Sequence, residues 1–310
     1  MVYVFYILIA FLLIFGSLGF LAARGIARKK PRPDMDIHEY SNNIHEPEYV
    51  SEVREWISEA GYGYVKIKSP YFYNINAFEL EGRMPDKWVV LLHGVTVSHK
   101  YMLDLAHMYN RMGFGVLAWD SRAHGESGGS SISYGYYEKN DLAEAVDYIR
   151  NKYDKDAKIG LHGISMGAGI LLAYASQVRD DCDFYIADCP YSDFYKQAET
   201  VIGRKLHTPA FITSIVMGFT KFFILRIYGF DLKRIDILSR MHLVKNPMMF
   251  IDCRDDAYIP PEMTRELYEA CGSGKKTILW FEDGGHGGAY PLHRKEYEQA
   301  VLDFIKESGI

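Results

Sequence analysis

The stretch KIGLHGISMGAGILLAYAS, residues 158–176, reads as a strand, a sharp turn and a helix. Aliphatic residues before Gly163 suit a strand buried on both faces, and the small and aliphatic residues after Gly167 suit a helix seated closely on a sheet. Ser165 falls on the turn. Gly163-Ile164-Ser165-Met166-Gly167 therefore fits the G-x-S-x-G nucleophile elbow, in which flanking glycines give the backbone room to hold a strained serine out of the sheet. A second match, Gly125-Glu126-Ser127-Gly128-Gly129, lacks that setting. It follows the strand-like GVLAWD and runs into Ser130, Ser131 and Ser133, a polar glycine-rich loop and not a helix start. Context selects Ser165.

Outward from the elbow, strand and helix patterns alternate. KWVVLLHG (87–94), GVLAWD (115–120), FYIADCP (184–190), MMFIDC (248–253) and KTILWFED (275–283) read as strands, with helices over 101–112, 137–153, 262–271 and 290–307. YGYVKIKS (62–69) and INAFELEG (75–82) read as a hairpin, preceded by a short amphipathic helix over 48–60. Such alternation predicts an α/β fold, a mostly parallel central sheet covered by helices on both faces. One block, about residues 192–246, shows several helical stretches and no clear strand. Its strongest segment, FITSIVMGFTKFFILRIYGF (211–230), is broken by Gly218, Lys221 and Arg226, which makes it a poor second membrane span and a natural helical cap over a pocket.

At the N-terminus, residues 2–23 carry no charge and would form a helix about 33 Å long, enough to cross the hydrocarbon core of a bilayer. No Lys or Arg precedes this run, unlike a cleaved signal peptide. Arg24, Arg28, Lys29, Lys30 and Arg32 follow it, so the positive-inside rule places the remaining chain in the cytoplasm. The expected organisation is a transmembrane anchor over 1–23, a basic and polar linker over 24–47 and one α/β domain over 48–310. Four cysteines without C-x-x-C pairing or metal-ligand spacing read as reduced, buried thiols, in keeping with that orientation. Beyond residue 33 the chain carries 30 basic and 40 acidic groups, which gives no electrostatic case for nucleic-acid binding. Neither a metal nor an organic cofactor is implied by any residue pattern.

A serine hydroxyl needs an imidazole to take its proton, and the imidazole needs a carboxylate to fix its tautomer and stabilise its charged form. His286 follows the last strand in the glycine-rich EDGGHGG, where the ring is free to reach across. His93 and His162 each precede a glycine at a strand end and read as structural. For the acid, Asp256 opens DAYIP, whose proline stiffens the turn that would aim it; Asp255, one residue earlier, and Asp188, after the preceding strand, are the alternatives. The order Ser165, Asp256, His286 is that of the elbow-type hydrolases. For the developing oxyanion, backbone N–H groups are expected from Met166, at the start of the helix, and from Val95 in the loop after LLHG, with Thr96 its neighbour.

LLHG, WDSRAHGESGG, GISMGA, ADCPYSD, DDAYIP and the late GGH, in this order, make residues 48–308 resemble the α/β-hydrolase superfamily, and within it a bacterial branch of esterase-like serine hydrolases. The resemblance implies Ser165 as nucleophile, Asp256 as acid and His286 as base, and makes Asp120–Ser127 a structural turn. The HGVT loop departs from the HGGG run of many lipases, so a dedicated lipase is not implied. The expected activity is cleavage of a carboxylic ester or related acyl bond through an acyl-enzyme, on a small-molecule or lipid-like substrate. Peptidase, thioesterase and acyltransferase chemistry share the same constellation, and a non-catalytic membrane-tethered binding protein is the alternative from another class.

Overall fold

A computed structural model describes residues 2–29 and 47–310. The elements run α1 (Val2–Ala27), α2 (Pro47–Glu59), β1 (Gly63–Lys68), β2 (Asn74–Leu80), β3 (Lys87–Leu92), α3 (Leu103–Arg111), β4 (Gly115–Trp119), α4 (Glu138–Lys152), β5 (Lys158–Ile164) and α5 (Met166–Gln177). Then come β6 (Phe184–Asp188), α6 (Phe194–Leu206), α7 (Ala210–Phe223), β7 (Met248–Cys253), α8 (Pro261–Ala270), β8 (Lys276–Phe281) and α9 (Ala289–Ser308). The strands form an eight-stranded sheet in the order β1-β2-β4-β3-β5-β6-β7-β8. Only β1–β2 and β2–β4 pair antiparallel; β4, β3, β5, β6, β7 and β8 are parallel. The expected α/β architecture is therefore the observed one.

Burial explains the strand sequences. Every residue of β4 and β7, and β3 from Trp88 onward, is buried, because helices cover both faces and leave no polar side. One face is packed by α4, α5 and α8, through Leu142, Val146, Ile149, Leu171 and Leu267. The other is packed by α2, α3 and α9, through Tyr49, Val53, Leu105, Tyr109, Tyr297 and Val301. The helix α5 is apolar all round and buried from Met166 to Ser176, which is why it shows no amphipathic stripe.

Between β6 and β7 lie α6 and α7, a π-helical turn over Ile224–Tyr228 and two short 3-10 turns, so this block is helical as its sequence suggests. The N-terminal helix α1 runs on to Ala27, beyond the charge-free stretch. Arg24–Ala27, read from sequence as the start of a linker, forms its last turn, and Ala23, Ile26 and Ala27 are buried against the domain. The remainder of that linker from residue 30 to 46 lies outside the described residues. Both α1 and the segment Ala210–Tyr228 are long and apolar enough to cross a membrane by length and composition. The second packs against α1, with Gly19 against Phe219 and Phe20 edge-on to Phe223.

Candidate active site

The elbow is built by close contact. A Cβ on Gly163 would stand 2.4 Å from the Gly167 carbonyl carbon, and one on Gly167 would stand 2.0 Å from the Leu92 carbonyl oxygen. No side chain fits at either place, so α5 sits directly on β3 and β5. Ser165, between them, takes φ 56° and ψ −113°, a conformation that a non-glycine residue adopts only when its surroundings enforce it. Its N–H is held by the Asp188 carbonyl at 2.8 Å. This strain lifts Oγ out of the sheet.

Ser165 Oγ lies 2.8 Å from His286 Nε2, and His286 Nδ1 lies 2.7 Å from Asp256 Oδ2. The second oxygen, Asp256 Oδ1, accepts the Tyr258 and Ile259 N–H groups at 2.7 and 3.0 Å, which locks the carboxylate beside the ring. Asp256 is buried. With a carboxylate at Nδ1, the ring carries its proton there and presents Nε2 as the acceptor toward Ser165.

The alternatives considered for the acid have other tasks. Asp255 accepts the Gly285 N–H at 2.7 Å and the Gly284 N–H at 3.4 Å, fixing the glycine-rich loop that carries His286. Asp188, fully buried, accepts from the Tyr297 hydroxyl at 2.9 Å; burial pushes its carboxyl up to about 7. Tyr297 continues to His162 Nε2 at 2.9 Å, and His162 Nδ1 to Tyr109, so this histidine is enclosed in a buried polar chain. Burial lowers both His162 and His93 to about 3, and both stay neutral. Ser127 donates to the Asp120 carbonyl at 2.6 Å and accepts from the Asn76 N–H at 2.8 Å, a loop brace away from the elbow.

On the β3 side, His93 Nδ1 donates to the Gly94 carbonyl and Nε2 accepts the Ser121 N–H. His124 completes the loop: its Nε2 accepts the Thr96 N–H at 3.1 Å, with Thr96 held at φ 73°. Thr96 thus has its N–H committed, whereas the Val95 N–H has no acceptor among the described residues. Met166 is the first residue of α5, and its N–H belongs to the turn that has no intrahelical partner. Sequence reading had no role for His124, since its partner lies 28 residues away; the His-Gly pair at 124–125, like that at 93–94, was the available signal.

These groups open into a pocket of about 600 Å³ lined by Val95, Thr96, Leu105, Tyr258, His286 and Tyr290 among others. Cys189 Sγ, Asp256 and His286 place ligand atoms within 4.8 Å of one another. They do not make a metal site: burial holds the Cys189 thiol protonated, and the other two groups face each other.

The architecture and pocket define a class of protein that comparison identifies directly. Residues 83–213 match the family model described as serine aminopeptidase, S33. YqkD of Bacillus subtilis is 34% identical over 240 residues, 77% of each chain. A lysophosphatidylserine lipase, ABHD12 of Xenopus tropicalis, is 22% identical over 70% of this chain and 57% of its own length. The esterase Pf2001 of Pyrococcus furiosus superposes with a TM-score of 0.67 at 25% identity, covering 90% of this chain and 99% of that one. The chain belongs to the α/β-hydrolase superfamily and is a serine hydrolase of that fold.

Proposed function

We propose that the protein is an esterase-like hydrolase in which Ser165, His286 and Asp256 act as nucleophile, base and acid. The observation that carries this reading is the continuous relay of 2.8 and 2.7 Å from Ser165 Oγ through the imidazole to Asp256. Ser165 Oγ attacks the acyl carbon while its proton passes to His286 Nε2, and Asp256 stabilises the imidazolium. The oxyanion forms beside the Val95 and Met166 N–H groups, where each donor is worth roughly 3–4 kcal/mol. Collapse expels the alcohol, which takes the proton from Nε2, and leaves an acyl-Ser165 ester. Water, deprotonated by His286, then releases the acid and restores the serine.

The apolar helices of the cap and the likeness to a lipase favour an apolar acyl group. In the same reading α1 crosses the membrane once, as a single-pass anchor of the cell membrane with the domain over 48–310 on the cytoplasmic side, since the basic residues follow the apolar run. A fluorophosphonate probe should label the wild-type chain and fail on Ser165→Ala; a folded wild type that resists labelling would refute the enzyme reading. A series of p-nitrophenyl esters should be cleaved faster at octanoate than at acetate. Protease added to intact cells should leave the domain uncut.

A further inference from the structure

The end of α1 is built into the hydrolase domain. Two carbonyls of its last turn, which a helix leaves without internal donors, are taken by the domain: Ile26 O accepts the Tyr134 hydroxyl at 3.1 Å, and Ala27 O accepts the Ile132 N–H at 2.9 Å. Ala23 and Ala27 are fully buried there. Lys29 follows two residues later, so its position is fixed by the domain. It lines the same pocket as Ser165 and His286.

Its ammonium donates to the Tyr258 hydroxyl at 3.3 Å, and the Tyr258 ring packs on the His286 imidazole with centroids 4.8 Å apart. Lys29, Tyr258 and His286 thus form one wall. Among the described residues no carboxylate pairs with Lys29. The carboxylate lining the pocket, Asp104, belongs to α3, the element that also brings Leu105 to the lining, and its Oδ1 accepts the Leu105 N–H at 2.8 Å. The wall that holds Lys29 is the one from which Nε2 protonates the departing alcohol. A positive charge there meets the alcohol half of an ester.

We propose that Lys29 is a specificity-determining residue that selects esters carrying an anionic group, carboxylate or phosphate, on the alcohol half. This rests on the hydrolase reading above. An ammonium at a half-exposed site interacts with such an anion over a few ångströms, enough to change relative turnover by about ten-fold.

The test uses the full-length protein in detergent, with fatty-acid release measured for hexanoyl glycerol, hexanoyl glycerol 3-phosphate and hexanoyl glycolate. Wild type should prefer both anionic esters, and Lys29→Gln should lower the anionic-to-neutral ratio of kcat/KM by about ten-fold. Lys29→Glu should lower it further. Octadecenoyl versions in micelles distinguish the sources: a Lys29-dependent preference restricted to them identifies a lipid headgroup, and one already present in the soluble esters identifies a free substrate. An unchanged ratio in Lys29→Gln on both the hexanoyl and the octadecenoyl series overturns the proposal. So does an equal loss on monomethyl glutarate, whose charge lies on the acyl half. Loss of all hydrolysis in Ser165→Ala, with neutral ester still cleaved by Lys29→Gln, keeps the hydrolase reading separate from this outcome.

Discussion

Adjacent carboxylates at the end of β7 hold His286 by different means. Asp256 touches the ring at Nδ1, while Asp255 touches only the backbone of the loop that carries it, through Gly284 and Gly285. Replacing Asp256 by Asn keeps the shape but offers a donor where an acceptor is needed, and kcat for a p-nitrophenyl ester should fall by about 10⁴-fold. Replacing Asp255 by Ala removes a positioning contact, so kcat should fall by up to about 10²-fold with the pH profile unmoved. Equal losses in the two variants would mean that the ring is not oriented by Asp256. A one-residue difference thus separates chemistry from placement.

Among the elements, α5 depends on the absence of side chains at its start. Gly167→Ala would drive a methyl carbon to 2.0 Å from the Leu92 carbonyl oxygen, so α5 must lift from β3. Overpacking of this kind costs about 1–3 kcal/mol, and the melting temperature should fall by several degrees. A melting temperature equal to wild type would show that the helix has slack at this contact. That seat was legible in the sequence, because glycine spacing and aliphatic runs are local signals. The alternating strands were legible for the same reason; Ser165, Asp256 and His286 were candidates from their turn sequences, and the fold brings them within hydrogen-bonding distance. The end of α1 was not: Arg24–Ala27 reads as polar linker, and only Tyr134 and Ile132, more than a hundred residues on, take up its carbonyls. Nor could periodicity show that His124 holds Thr96, since that contact exists only once the loops after β3 and β4 meet.

At the scale of the whole molecule, two carboxyls buried beneath the site, Asp252 and Asp188, form no salt bridge among the described residues. Asp252, fully buried in β7, is raised to about 8, first by burial and then by the neighbouring Asp256 and Asp188, against the hydrogen bond from Thr264 at 2.5 Å. Asp188 is raised to about 7 by the same burial. A carboxyl held protonated in the fold, with an unfolded pKa near 3.9, stabilises fully below about pH 4. That contribution shrinks as pH rises and is gone above the folded value, about 8 for Asp252. This contribution to stability should therefore fall away between about pH 4 and 8. Asp252→Asn supplies a permanently neutral isostere whose amide can donate to Thr264, while its oxygen keeps the Cys253 N–H now held at 2.8 Å. Thermal melts at unit pH steps should give a shallower decline for this variant than for wild type, with the two curves diverging most at pH 9. Parallel curves would mean that Asp252 is ionised in the fold, and that the burial of these carboxyls is relieved by some other group.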